Sequence, residues 1–140
     1  MDSAVTVSVR LAHTSDLSTI SSIQQHISHP STDLLDAWPA VGTLLVSVDT
    51  ADQPVGYLLA TGDHIAELAV TPGARREGRA TALVHALRTR RPDAPLTVLV
   101  HPENASARAC YETIGFRLDE RVTDAFDGDD AVRLVFAPSV

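Results

Sequence analysis

Residues 64–87 read HIAELAVTPGARREGRATALVHAL, and the rest of the chain is organised around them. His64 to Val70 is a short apolar run that predicts a strand. Thr71 to Gly78 forms a turn containing proline and glycine and crowded with arginine. Ala80, Leu83, Val84 and Leu87 then recur at helical spacing, which predicts an amphipathic helix from about Gly78 to Arg90. A strand that turns directly into a helix leaves the first helical N–H groups without intrahelical partners, and the helix dipole adds to their positive character. Arg75, Arg76 and Arg79 crowd the same place. The stretch is therefore expected to cradle a phosphate-bearing ligand, with Gly78 letting the backbone approach it closely. The plainer alternative is a glycine-containing loop of solvated arginines.

Working outward, Val5 to Leu11 alternates and predicts a first strand. Thr14, Ser15 and Asp16 supply capping side chains for a first helix carrying Leu17, Ile20, Ile23 and Ile27, which His29-Pro30 ends. Ser31-Thr32-Asp33 caps a second short helix carrying Leu34, Leu35 and Trp38, and Pro39 stops it. Thr43–Val48 and Val55–Ala60 flank a turn and predict an antiparallel hairpin. Beyond the central stretch, Leu96–Val100 reads as a strand buried on both faces. Its strand–helix–strand relation to His64–Val70 implies a parallel pair with a right-handed crossover. Ala105–Ile114 predicts a helix ended by Gly115. Phe116–Val122 and Ala131–Phe136 are the last two strands. The acidic stretch between them, with Asp124, Asp127, Gly128, Asp129 and Asp130, reads as a solvated hairpin tip. No linker, internal repeat or low-complexity segment interrupts this pattern. The expectation is one α/β domain over residues 1–140, with a mixed sheet covered by helices on both faces.

The composition sets the bounds. The chain has 140 residues, 44% of them hydrophobic, which suffices for one core. No apolar run approaches the length of a membrane span and the N-terminus lacks the pattern of a signal peptide, so a soluble, cytoplasmic protein without a membrane partner is expected. Cys110 is the lone cysteine, which excludes a disulfide within the chain, and the six histidines show no metal-ligand spacing. No metal is expected. The formal net charge of −7 argues against a nucleic-acid partner and fits a cationic substrate weakly. All eleven basic residues are arginine, which reads as compositional bias.

Two motifs carry a family resemblance. Arg75-Arg76-Glu77-Gly78-Arg79-Ala80 resembles the Gln/Arg-x-x-Gly-x-Gly/Ala signature of the GNAT superfamily, the Gcn5-related N-acetyltransferases, and follows the usual strand end, Leu68-Ala69-Val70-Thr71-Pro72. Downstream, Asn104 and Ala105 leading to Tyr111-Glu112 and then Gly115-Phe116 resemble the family's second motif. Val9-Arg10-Leu11-Ala12 with Asp16-Leu17 resembles its opening. The likeness spans nearly the whole chain in the right order. It implies the GNAT fold, a mixed central sheet of about six or seven strands. It also implies acetyl-CoA as cosubstrate and transfer of an acetyl group directly to a primary amine of a small molecule or peptide. Leu68, Ala69 and Val70 would offer backbone groups to the pantetheine arm. Arg75, Arg76, Glu77, Gly78, Arg79, Ala80 and Thr81 would surround the pyrophosphate, and Asn104 would bond the pantetheine arm, or cap its helix. Glu77 departs from the family pattern, which favours a basic or small residue there. Cys110 stands where a large apolar residue is common.

Such a transfer needs an acid for the leaving thiolate and a base for the amine. Tyr111 is the candidate acid, because a phenol near pKa 10 matches an alkyl thiolate roughly; the bland alternative is a half-buried helix tyrosine. Glu67 interrupts an apolar strand and is the first candidate base, with His64 second; alternatively it pairs with an arginine. Strict alternation puts His64 and Glu67 on opposite faces unless a bulge shifts the phase. Cys110 reads as a small buried hydrophobe. Trp38, with Leu34 and Leu35, lines an acceptor pocket or belongs to the core. The alternative function is a catalytically inactive CoA-binding sensor or partner module, and a toxin-like transferase acting on charged tRNA is disfavoured by the acidic balance. The identity of the amine is open, as is homodimerisation through the last strands.

Overall fold

Seven strands make one mixed sheet in the computed structural model, which describes residues 7–25, 35–75, 77–126 and 128–138. In chain order the strands are β1 Ser8–Leu11, β2 Thr43–Val48, β3 Pro54–Thr61, β4 His64–Val70, β5 Leu96–Val100, β6 Arg117–Phe126 and β7 Asp129–Phe136. The helices are α1 Leu17–Gln24, the single turn α2 Trp38–Val41, α3 Arg79–Arg90 and α4 Ala105–Ile114. The sheet order is β1-β2-β3-β4-β5-β7-β6. The pairs are antiparallel except β4 with β5. Helix α3 connects those two strands as the expected crossover.

The apolar periodicities divide the core between the two faces. Leu83, Val84 and Leu87 of α3 and Tyr111 of α4 pack on Leu45, Leu58, Ile65, Leu96, Val98 and Leu134. On the other face Ile20 and Ile23 of α1 pack on Leu44, Val46, Tyr57 and Leu59. Full burial of each large aliphatic side chain contributes about 1.5–3 kcal/mol. Strands β2, β4 and β5 occupy the ranges that the sequence predicts.

Several expectations need correction. Thr14–Asp16 forms a 3-10 turn, and Asp16 accepts from the His13 amide at 2.7 Å and pairs with Arg10 at 2.8 Å, so it closes that turn and does not cap α1. The helical residues 35–36 give way to a turn at 37, so Trp38 and Pro39 do not belong to the helix that carries Leu35. Pro39 lies in the first turn of α2, where its missing N–H has no intrahelical role. Strand β5 is fully buried on one face only, through Leu96, Val98 and Val100; Thr97 and Leu99 are half-buried. The acidic tip is shorter than expected, because Asp124, Asp129 and Asp130 belong to the strands. The Asp130 carboxylate accepts from the Arg121 guanidinium at 3.0 Å and the Asp124 amide at 3.1 Å. The Asp130 carboxylate thus ties the two strands of the hairpin together, while Asp124 and Asp129 remain exposed. The expectations on Val5, Thr6, Ile27, His29, Pro30, residues 31–34 and Asp127 lie outside the described residues.

The C-terminal strand is fastened from two sides. Arg88, buried in α3, donates to the carbonyls of Arg91, Ala94, Phe136 and Ala137, and its guanidinium lies 4.8 Å from the centre of the Phe136 ring. Gly115 ends α4 with φ of 132°, and a Cβ there would lie 2.9 Å from Cε1 of Phe136. Gly115→Ala should therefore destabilise the protein by about 2 kcal/mol through backbone strain and displacement of Phe136. Urea unfolding checks this, and a loss below about 0.5 kcal/mol contradicts it.

Candidate active site

Strands β4 and β5 pair at only two positions, His64 with Thr97 and Ile65 with Val98. Beyond Ile65 they part. Strand β4 stays with β3 as far as Val70 opposite Gly56, while β5 stays with β7 along its whole length. The N–H and C=O groups of β4 that face the parting are thus turned away from any strand, as on a sheet edge. The parting opens a cleft of about 900 Å³. One wall is Ala66–Val70, the other is β5 and α4, and the start of α3 closes one end.

A bulge in β4 sets which side chains face this cleft. Leu59 lies opposite Glu67 but Ala60 lies opposite Ile65, so Ala66 is the extra residue. Ile65 packs on the α3 side, whereas Ala66 packs on the α1 side and Glu67 bonds to Gln24 of α1. His64 bonds through Nδ1 to Thr97 Oγ1 at 2.9 Å, and Thr97 also faces the α1 side because Leu96 and Val98 face α3. His64 and Glu67 therefore share a face, the outcome that alternation alone would exclude. Only Glu67 lines the cleft. It is buried, 4% exposed, and accepts from Gln24 Nε2 and from the Tyr57 hydroxyl, each at 2.9 Å.

Tyr111 stands on the opposite wall, 7% exposed, with its ring edge-on to Phe116 at 5.1 Å. Burial, with a smaller effect from Cys110, holds its phenol above the ordinary tyrosine range, so the match to pKa 10 expected from sequence does not hold. It stays protonated at neutral pH. Cys110 is exposed in the cleft, not buried. Helix α4 meets the core through Ala107, Tyr111 and Ile114, and Cys110 lies on the flank of that stripe. Desolvation by the surrounding walls holds its thiol up, against thiolate chemistry. Trp38 and Leu35 pack in the α1-side core and do not line the cleft.

The turn into α3 is only partly as expected. Gly78 is the residue before the helix, at φ of 77°, and no side chain caps the N-terminus. The first intrahelical bond found here runs from the Ala82 amide to the Gly78 carbonyl, so the amides of Arg79, Ala80 and Thr81 precede the ladder and lie at the cleft. No atom lies within 4 Å of a Cβ built on Gly78; its backbone conformation, not crowding, demands glycine. The Arg79 guanidinium turns inward, donating to Ser47 Oγ at 2.9 Å, the Val48 carbonyl at 3.1 Å and Glu77 at 2.9 Å. It pins the turn to β2 and neutralises Glu77, which does not line the cleft. Arg79 and Glu77 thus offset each other's charge within the fold, while Arg75 stays at the cleft. Arg75 is exposed, lines the cleft and donates to the Val70 carbonyl at 3.0 Å. Arg76 lies outside the described residues. Asn104 caps α4, accepting from the Ala107 amide at 3.1 Å, and also borders the cleft. Sequence reasoning missed Gln24 and Tyr57; the signal for Tyr57 was a phenol inside an apolar strand, which needs a partner when buried.

A family model described as an acetyltransferase (GNAT) domain matches residues 24–133. The chain belongs to the GNAT acetyltransferase family. Among curated relatives, the peptidyl-lysine N-acetyltransferases YjaB of Salmonella typhimurium and Escherichia coli are 36% identical over 78 residues and 33% over 89. These matches cover 56% and 64% of this chain but only 52% and 59% of the relatives, so the chain spans little more than half the length of the curated relatives it matches. The crystal structure of Arabidopsis thaliana NAA60 in complex with acetyl-CoA superposes with a TM-score of 0.80 at 17% identity, covering 94% of this chain and 98% of that one. At that identity the likeness is one of GNAT fold. Among the described residues of this chain no helix is long and apolar enough to cross a membrane.

Two measurements test this geometry. Arg79→Leu should lower stability by about 2 kcal/mol, because it strips donors from a buried carbonyl and hydroxyl, while Arg75→Ala should change it by less than about 0.5 kcal/mol. Equal effects in urea unfolding would contradict the inward placement of Arg79. Burial, aided by Arg133, lowers the His64 pKa. Unfolded, His64 takes up its proton near pH 6.5. Below that value the unfolded chain binds more protons, so His64 makes the fold lose stability as pH falls. The stability of His64→Gln relative to wild type should rise from pH 7.5 to pH 5; a constant difference would remove His64 from the titration.

Proposed function

We propose that this chain transfers an acetyl group from acetyl-CoA directly to a primary amine, within one domain spanning residues 1–140. The observation that carries the reading is the cleft itself. A single parting of the sheet joins an uncapped helix N-terminus at αL Gly78 to a wall holding Glu67 and a wall holding Tyr111. A diphosphate fits the first of these by charge and by free N–H groups. An extended, amide-bearing arm fits the β4 edge, which can bond it as a further strand would. The cofactor-bound complex among the structural relatives supports the same ligand.

In this reading the amides of Arg79, Ala80 and Thr81 hold the pyrophosphate, with Gly78 setting their direction and Arg75 adding charge at the rim. Leu68, Ala69 and Val70 hold the arm through their backbones, with Asn104 beside it. Acetyl-CoA supplies the thioester carbonyl. Glu67 removes a proton from the amine, directly or through water, and Tyr111 gives its phenolic proton to the departing thiolate. Glu67 is preferred to His64 because it alone of the two borders the cleft. The lysine side chain of a protein or peptide is the first acceptor to test, since the curated relatives carry that activity in their names.

Calorimetric titration with acetyl-CoA should show binding that Gly78→Trp abolishes. Tyr111→Phe and Glu67→Gln should each lower kcat about 100-fold on an amine library read by free thiol, with acetyl-CoA affinity within about threefold of wild type. Binding without loss of rate in either variant would leave the cofactor and remove these two roles. A folded protein that does not bind acetyl-CoA would end the transferase reading.

A further inference from the structure

Glu67 is gripped from the side opposite the cleft. Gln24, the last residue of α1, donates through Nε2 to Oε1 at 2.9 Å and to Oε2 at 3.2 Å. Tyr57, in the middle of β3, donates its hydroxyl to Oε1 at 2.9 Å. Both are buried, Gln24 4% exposed and Tyr57 fully, and neither lines the cleft. The Ala66 bulge is what turns Glu67 towards them. An amide NH₂ and a neutral phenol can only donate to a carboxylate in these positions. Tyr57 is kept neutral chiefly by burial and next by the charge of Glu67 itself. The two donors reach the carboxylate from different elements, α1 and β3, and Tyr57 lies in the apolar cluster of Ile20, Ile23 and Leu59. Donors from two separate elements on one carboxylate constrain its orientation.

We propose that Gln24 and Tyr57 are positioning residues for the proposed Glu67 base, fixing the direction in which its carboxylate meets the acceptor amine. The inference rests on the reading of Glu67 given above. It differs from a purely structural role, in which the two donors stabilise a buried charge and dock α1 without bearing on the rate. The separation comes from a double-mutant cycle, because a positioning effect vanishes once the positioned group has lost its function.

The experiment measures kcat and KM for wild type, Tyr57→Phe, Gln24→Leu and Glu67→Gln, and for each of the first two combined with Glu67→Gln. The acceptor is the most active amine of the library, and release of free thiol is the signal. Each of Tyr57→Phe and Gln24→Leu should lower kcat about tenfold, the scale expected when a catalytic group is slightly misdirected. KM and the calorimetric Kd for acetyl-CoA should stay within about twofold of wild type, and in the Glu67→Gln background neither change should lower kcat further. If Glu67→Gln keeps the wild-type kcat, the base assignment falls and takes the proposal with it. If Glu67→Gln loses rate while the other two keep wild-type kcat, or cost the same factor in both backgrounds, positioning is overturned and the base stands. Should Tyr57→Phe fail to fold, Gln24→Leu, at the end of its helix, decides alone. Wild-type protein that acetylates no amine in the library overturns proposal and transferase reading together.

Discussion

The two-residue contact between β4 and β5 is the constraint on which the rest of the molecule depends. Each strand is committed elsewhere, β4 to β3 and β5 to β7, over lengths that exceed their shared register. Past Ile65 the two strands diverge, each keeping the ladder with its other neighbour. The bulge at Ala66 adds local twist where the separation begins. An open seam in the middle of a sheet is costly, because backbone groups there lack a neighbouring strand. It is tolerable when the seam is solvated or when a ligand with its own amides lies in it. Helix α3 starts beside that seam because the chain leaves β4 through a short turn, so the helix dipole and the strand edge serve one cleft.

The arginines show how little a side chain's charge says about where it acts. Arg75 and Arg79 flank the same turn, yet one lies at the rim and the other is buried against β2. Arg88, two turns further along α3, bonds four carbonyls through its two terminal nitrogens and fastens β7. The anion-attracting character of the cleft therefore leans on backbone N–H groups and less on guanidinium groups than the sequence suggests.

What the sequence made legible was whatever local pattern controls. The period of the apolar residues located β2, β4, β5 and α4 to the residue, and the chain order of strand, helix and strand set the parallel pair. The motif around Gly78 and the one from Asn104 to Phe116 placed the cleft. Long-range pairing set what was missed. The Ala66 bulge has no glycine or other local mark, and it alone decides that Glu67 and His64 share a face. The acidic residues near Gly128 read as solvated until the Arg121–Asp130 pair joins the strands across the tip. Cys110 is flanked by apolar neighbours in sequence, but its helix leans on the sheet through a narrower stripe than they imply.

The two proposed catalytic groups are treated oppositely by their surroundings, and this division is built from apolar packing as much as from polar contacts. Tyr111 has Phe116 and the α3-side core around it, which keeps its proton in place. Glu67 sits at the same depth but meets donors that include Gln24 and Tyr57, and burial together with that charge keeps the proton on Tyr57. The proposed donor on one wall and acceptor on the other thus differ in their immediate surroundings, apolar for Tyr111 and hydrogen-bonding for Glu67. The pairing draws on both faces of the sheet. Glu67 is held from the α1 side and Tyr111 from the α4 side, and only where β4 and β5 have parted can groups from opposite faces look into one cleft.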